Sequence, residues 1–437
     1  MTQQTSHKRW QTRPLQCWDK AKEIRRNYEK DGKEAGSKGV LLVHGRELAL
    51  FGLPDVRSIT DNPLGAMIGN TSDPFSRACR AECEIRGYGR DICGYFRNTF
   101  GSMYLNRDVW GGEFPRRDLS VGNSGVCDCH TKQLQPVSEH FGGPLLSTDH
   151  ATHVGPVSDE RAEVGLEYLV AQTQDQIEYL ENATGKKFDD EYFAEATKHF
   201  LRIRAIAREV ILMNRSIPAP LDQKSFHSFM ALGGRVRASW DDIEALWKML
   251  RDEVKYRVDN QIAAVATERY RWLEDQPPPW YFLKYYRYME KYGTVCIGSP
   301  YTHAIGGFYD VGEDGTFEDS KTPLELGWPM NTREDIIRAS LGGVAAGSRG
   351  DFAGRSKRMV AMAKAFHCDG ALIPLARAGC GCLFGMREAA GELIEAGIPT
   401  MCYEYSQPGD RTAFDENRML DQLDAFMESQ GLQKLDD

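Results

Sequence analysis

At 437 residues, with 41% hydrophobic and 27% charged side chains and a net charge of −9, the chain has the composition of an ordinary globular protein. A chain this long is expected to form two or three domains and to bury about 75% of its unfolded surface, so it needs no disulfide staples. The acidic balance and the lack of a long basic run argue against nucleic acid as a partner, and no stretch is apolar enough to span a membrane.

The N-terminus, Met1 to Lys20, is polar and lacks an apolar signal core, which points to the cytoplasm, where thiols stay reduced. The chain has eleven cysteines, an odd number that cannot pair completely, and this reads as metal or redox chemistry. Residues 1–36 are helix-prone around Trp18 and are expected to form an N-terminal helical arm. Gly39 to Gly45 is an apolar strand run ending in a glycine turn, with a helix expected from Glu47 and stopped at Gly52-Leu53-Pro54. That βα unit opens a first α/β domain, residues 37–157. Within it, Cys79 and Cys83 lie four apart on one helical face, and Asp91 is an expected N-cap that places Cys93 in the next helix's first turn.

Leu119-Ser120-Val121 is a strand run that leads into Asn123-Ser124-Gly125-Val126-Cys127-Asp128-Cys129. Residues 158–280 read as a mainly helical connecting segment, with a 3.6-residue apolar period in Val164-Leu166-Leu169-Val170 and Ile243-Leu246-Trp247-Leu250. Pro277-Pro278-Pro279-Trp280 is expected to lead into a second α/β domain, residues 281–437. Its expected strands are Thr294 to Gly298, Gly370 to Leu375 and Pro399 to Tyr403, with a helix from Leu383 to Ala396 between the last two. After the middle strand comes Arg377-Ala378-Gly379-Cys380-Gly381-Cys382. Two strand-to-turn elements that each deliver a Cys-x-Cys fit a metal centre, best an iron–sulfur cluster, in the cleft between two parallel-sheet halves.

Position singles out Cys93 at a helix start, and Cys127 and Cys380 in turns just past strands, with Cys129 and Cys382 as alternates. Cys79 and Cys83 fit packing on an amphipathic helix, Cys296, Cys368 and Cys402 fit core positions beside strands, and Cys17 has no assigned role. His130, His140, His150 and His153, with Cys127 and Cys129, leave a zinc site open, although their spacing matches no familiar zinc pattern.

These motifs carry a resemblance. Gly45-Arg46-Glu47-Leu48, Asp91-Ile92-Cys93-Gly94-Tyr95, Ser124-Gly125-Val126-Cys127 with Lys132, and Gly370 to Ile373 leading to Cys380 resemble segments of the benzoyl-CoA reductase and 2-hydroxyacyl-CoA dehydratase family. Ser299-Pro300-Tyr301-Thr302 with Gly306-Gly307 looks most like a loop of the B subunit of ATP-dependent benzoyl-CoA reductases. The resemblance implies two Rossmann- or flavodoxin-like domains and one [4Fe-4S] cluster held by Cys93, Cys127 and Cys380. It further implies a homologous cluster-bearing subunit, an ATP-hydrolysing activator and ferredoxin as electron donor. The implied activity is an oxidoreductase that dearomatises an aromatic acyl-CoA. The alternatives are a subunit of a radical 2-hydroxyacyl-CoA dehydratase and, in another class, a non-catalytic iron–sulfur or zinc scaffold.

Both reactions pass through a ketyl-like radical anion that must exchange protons. The loop after Thr294–Gly298 therefore makes Tyr301 and His303 the candidate proton donors, with Ser299 and Thr302 lining the acyl-CoA pocket.

Overall fold

The computed structural model describes residues 8–45, 48–59, 61–123, 128–149, 159–230, 232, 240–275, 277–302, 309–312, 314–345, 352–376, 385–405 and 414–436. Two four-stranded sheets organise the chain, and every strand pair in both is parallel. The first contains β1 (Leu41–His44), β2 (Val56–Ile59), β3 (Leu119–Asn123) and β4 (Leu145–Thr148), in the order β2-β1-β3-β4. The second contains β5 (Tyr270–Glu274), β6 (Thr294–Gly298), β7 (Gly370–Ala376) and β8 (Thr400–Tyr405), in the order β8-β7-β5-β6.

These are one topology used twice. In each sheet the second strand lies on one side of the first, and the third and fourth lie on the other side, as in the first four strands of a flavodoxin-like sheet. The strand order therefore reverses between β1 and β3, and again between β5 and β7. A parallel α/β sheet opens its binding crevice at such a point, outside the carboxyl ends of the strands. Residues 124–127, with Cys127, directly follow β3, and residues 377–384, with Cys380 and Cys382, directly follow β7. Each expected thiol turn thus leaves the third strand of its sheet at a reversal point.

The expected strands are present with small shifts in their ends, and three further strands, β2, β4 and β5, join the two sheets. β2 follows Leu48–Gly52, which forms a 3-10 helix at the place of the short helix expected from Glu47. β5 precedes Pro277–Trp280, so the second sheet begins ahead of the proline run expected to mark its start. All five residues of β5 and of β6 are buried, as in parallel strands covered on both faces.

The helices are α1 (Trp18–Ser37), α2 (Asp61–Thr71), α3 (Asp73–Ile85), α4 (Gly94–Tyr104), α5 (Asp128–Lys132) and α6 (Leu134–Phe141). They continue as α7 (Asp159–Thr184), α8 (Asp190–Met213), α9 (Gln223–Met230), α10 (Trp240–Asp259) and α11 (Lys284–Glu290). The last four are α12 (Arg333–Ala345), α13 (Phe352–Ala365), α14 (Met386–Glu395) and α15 (Glu416–Ser429). Carboxylate caps start two of them: Asp189 accepts from Tyr192 N at 2.9 Å and Asp415 from Arg418 N at 3.0 Å.

α8 ties the two sheets together. Its Phe193, Phe200 and Leu201 join the core over β1 and β3, while Ile203, Ile206, Ala207 and Val210 join a second core with α10 and with Val295 and Ile297 of β6. The face of α1 that carries Ala21 and Ile24 is buried in that second core with Cys17, so the N-terminal helix is part of the fold. Late in the chain, α12 returns to the first core through Ile336 and Ile337, with Ser340 Oγ 2.8 Å from Thr197 Oγ1.

Candidate active site

Cys93 sits where α3 hands over to α4. Ser72 caps α3 by accepting from Phe75 N, and α3 buries Cys79 and Cys83 on one face. Both thiols are inert in character, because burial before any other cause pushes each up to about 12. Cys83 Sγ lies 3.0 Å from the Arg97 carbonyl. Cys79 and Cys83 both pack into apolar clusters, the placement their helical spacing favours.

Cys93 is itself the N-cap of α4, one step before the first-turn position expected from Asp91. It is 4% exposed, and its carbonyl accepts from Phe96 N at 3.0 Å and Arg97 N at 3.2 Å. Its surroundings are aromatic: Tyr95, Phe96, Phe100 and Phe114 are buried with it, and Trp280 and Cys129 pack on the same cluster. Trp280 Nε1–H donates to Tyr95 Oη, which joins the chain just before α11 to the turn that carries Cys93.

Cys129 lies in α5, which begins one residue after Cys127, so the described residues bring Cys93 and Cys129 to one apolar cluster. Cys127, Cys380, Cys382 and His303 lie outside the described residues. The donor chemistry fits an iron–sulfur cluster: a buried thiol at a helix start, ringed by aromatic side chains, with the other candidate thiols placed by sequence just after β3 and β7. Among the described residues no three His, Cys, Asp or Glu side chains converge as a metal site. His140 packs edge-on against Tyr104 and Phe141, and burial lowers its pKa. The side chains of His130, His150 and His153 are not among those described.

The carboxyl edge of the second sheet carries a buried polar cluster that sequence reading missed. Glu274 ends β5 and is 1% exposed; Asp275 follows it and is equally buried. Tyr285 Oη donates to Glu274 Oε2 at 2.6 Å, Tyr286 Oη donates to Oε1, and His227 Nε2 stands 3.3 Å from Oε1. Asp275 Oδ1 instead accepts the backbone N–H of Tyr301 at 3.0 Å, and its other oxygen lies 3.6 Å from Arg355 of α13. Successive side chains leave a strand on opposite faces, which is why neighbouring carboxylates serve two different networks.

Ser299 and Thr302 are fully buried, and Tyr301 is half-buried. Thr302 Oγ1 donates to the Ser299 carbonyl at 2.9 Å and accepts from Gln223 Nε2 at 2.9 Å, while Ser299 Oγ accepts from Tyr301 N at 3.2 Å. Their hydroxyls hold the turn that presents Tyr301. The sequence offered no signal for His227, whose partners Glu274 and Tyr286 are 47 and 59 residues away.

Two parallel sheets of one topology, each followed in sequence after its third strand by a thiol segment, define a duplicated α/β protein. The family follows from comparison: the model described as 2-hydroxyglutaryl-CoA dehydratase, D-component, matches residues 67–429, and the chain belongs to that family. It is similar to the (R)-2-hydroxyisocaproyl-CoA dehydratase alpha subunit of Clostridioides difficile, 27% identical over 240 residues, 53% of this chain and 57% of that protein. It is also similar to the (R)-phenyllactyl-CoA dehydratase alpha subunit of Clostridium sporogenes, 25% identical over 253 residues, 56% of this chain and 59% of that protein. A third relative is (R)-2-hydroxyglutaryl-CoA dehydratase, subunit alpha, of Acidaminococcus fermentans, 25% identical over 231 residues, 51% of this chain and 47% of that protein.

The match thus spans between 47% and 59% of the length of these relatives. All three are named dehydratases, as is the family model, which favours the dehydratase alternative over the reductase and oxidoreductase expectation. Among the described residues, no helix is long and apolar enough to cross a membrane.

Proposed function

We propose that this chain is a subunit of a radical 2-hydroxyacyl-CoA dehydratase, which removes water from a 2-hydroxyacyl thioester to give the 2-enoyl thioester. The family match over residues 67–429 carries this reading. Cys93, Cys127 and Cys380 would hold a [4Fe-4S] cluster, with Cys129 and Cys382 as alternates. When bound, the cluster would supply one low-potential electron. The aromatic residues around Cys93 exclude water from the thiol, and a dry, low-dielectric pocket suits a radical anion. Asp275, Ser299 and Thr302 fix the turn bearing Tyr301, and Tyr301 and His303 are proposed to exchange protons with the acyl group. A homologous second subunit, an ATP-hydrolysing activator and ferredoxin complete the proposed assembly.

Reduction of an aromatic ring is the second reading, supported by the resemblance of Ser299–Thr302 to the reductase loop. The test uses the anaerobically purified complex with activator, ATP and a low-potential reductant, offered 2-hydroxyacyl-CoA thioesters and benzoyl-CoA side by side. The expected result is loss of water from a 2-hydroxyacyl thioester without ring reduction. Ring reduction without dehydration would overturn the proposal.

A further inference from the structure

The cluster beneath the carboxyl end of β5 is more elaborate than a strand end requires. Burying the Glu274 carboxylate costs several kcal/mol unless donors surround it. Tyr285 and Tyr286 supply two, and burial followed by the Glu274 charge pushes both phenols well above their ordinary range, so they remain protonated donors. Both phenol protons are committed to Glu274.

The tautomer of His227 follows by elimination. Its Nε2 lies 3.3 Å from Glu274 Oε1 and 3.2 Å from Tyr286 Oη, whose proton already points at the carboxylate. Nε2 meets only acceptors, so it carries the ring proton. In a neutral imidazole Nδ1 is then a bare acceptor. The side chain is 3% exposed, and among the described residues Nδ1 has no hydrogen-bond partner. An unmet acceptor in the interior is destabilising, so a fold that holds one in place invites a donor from outside the chain.

We propose that His227 is a catalytic base for the acyl thioester, oriented by Glu274, with Nδ1 as the reacting atom. Carboxylate, imidazole and reacting proton stand in the order found wherever an acid orients a histidine base. Trp280 lies against His227 with ring centroids 5.0 Å apart and donates to Tyr95, two residues from Cys93. One indole therefore separates the base from the segment of a candidate cluster ligand. β5 also flanks the strand-order reversal of the second sheet, where a ligand is expected.

This assignment rests on the dehydratase reading, whose chemistry needs such a group. Dehydration takes a hydrogen from the β-carbon and hydroxide from the α-carbon. Nδ1 takes the β-hydrogen as a proton, and the C–H electron pair stays on carbon as the new π bond. The C–O bond breaks with its pair on oxygen, Tyr301 or His303 of the neighbouring loop protonates that hydroxide to water, and the donor is reprotonated as the imidazolium gives up its proton. The single electron that starts the cycle comes from the one-electron reductant of the complex and is recovered at its end, so no net oxidation occurs.

The test compares wild-type and His227→Gln complexes on a 2-hydroxyacyl-CoA carrying either hydrogen or deuterium at the β-carbon. The variant should retain its iron and lose about 10²-fold in kcat, the range of a missing general base. Its primary isotope effect on kcat should rise, because proton removal becomes rate-limiting; a merely structural role would slow turnover without raising it. A variant with wild-type turnover, or a slow one with a wild-type isotope effect, overturns the assignment. If His227→Gln does not assemble, Glu274→Gln is judged by the same two criteria. A wild-type complex inert towards 2-hydroxyacyl thioesters removes the dehydratase reading and the base with it, whereas an active wild type beside an unimpaired variant removes the base alone.

Discussion

Gly101 of α4 presses against the backbone of Cys79 in α3 so closely that a Cβ at Gly101 would stand 2.0 Å from the Cys79 carbonyl oxygen. Gly65 of α2 meets α4 in the same way, with its absent Cβ 2.3 Å from the Tyr95 carbonyl oxygen. Three helix backbones thus touch beside Cys93, and backbone cannot move aside as a side-chain tip can. Gly101→Ala should lower stability by about 1–3 kcal/mol, the cost of overpacking a filled interior. A Cβ at Gly391 in α14 would meet no neighbouring element within 4 Å among the described residues, so Gly391→Ala should instead raise stability by about 0.4–1 kcal/mol. Denaturant midpoints of the two variants should move in opposite directions.

Much of this fold is legible in apolar runs that end in small residues. Gly39 to Gly45, Leu119 to Val121, Thr294 to Gly298 and Gly370 to Leu375 all announce the strands they form. β5 stays hidden because Arg271 and Glu274 interrupt its run. Both are buried, and their partners are remote in sequence: Arg271 donates to the carbonyls of Asn214 at 2.6 Å, Ser216 at 3.1 Å and Phe366 at 3.0 Å. A window of neighbouring residues cannot show that such charges will be satisfied. The same blindness hides His227. The doubled sheet topology is invisible for another reason, since the two halves repeat their strand order without repeating their sequence. The strands β3 and β7 that precede the two Cys-x-Cys segments are legible because their apolar runs are local, while the segments themselves lie outside the described residues.

Two carboxylates set the acid limit of the fold. Burial opposes ionisation of Glu244, but hydrogen bonds from Lys248 at 2.6 Å, Arg202 at 3.0 Å and His199 at 2.7 Å hold it down to about 2. Arg208 forks onto Glu325 at 2.7 and 2.9 Å and, against some burial and with Thr322 assisting, holds that carboxyl down to about 2. A carboxyl depressed in the folded state contributes stability above its unfolded value, near 4.3, and loses it as pH falls towards the folded value. Stability should therefore be level above about pH 5 and fall between roughly pH 5 and 2. In Glu325→Gln it should be lower at pH 7 and fall less steeply over that window. Urea midpoints measured across pH would show this, and a parallel acid limb in the variant would refute it.

Three buried thiols are held in the protonated form. Burial above all pushes Cys17, Cys79 and Cys83 up to about 12, so the thiolate fraction of each at pH 8 is about 10⁻⁴. Iodoacetamide at pH 8 should leave these three unmodified in the native protein and label them fully in denaturant, as read by peptide mass spectrometry. Labelling of Cys79 or Cys83 in the folded chain would mean that α3 opens readily from α4.

The sharpest prediction concerns Cys93 and its neighbour on the other side of α4's first turn, Cys83. Both are buried in the same aromatic cluster, so removing either disturbs the same packing. They differ in what the sulfur does. Cys83 Sγ lies within hydrogen-bonding reach of Arg97 O at 3.0 Å, a role a serine hydroxyl can take over, whereas Cys93 is the proposed iron ligand at the helix start. Cys93→Ser should therefore lose most of the iron and the brown absorption of the anaerobically purified complex, while Cys83→Ser should keep both. Far-ultraviolet circular dichroism should match wild type in each, because neither side chain caps or terminates its helix through the sulfur. If Cys83→Ser bleaches the complex and Cys93→Ser does not, the ligand lies in α3 and the assignment of Cys93 fails.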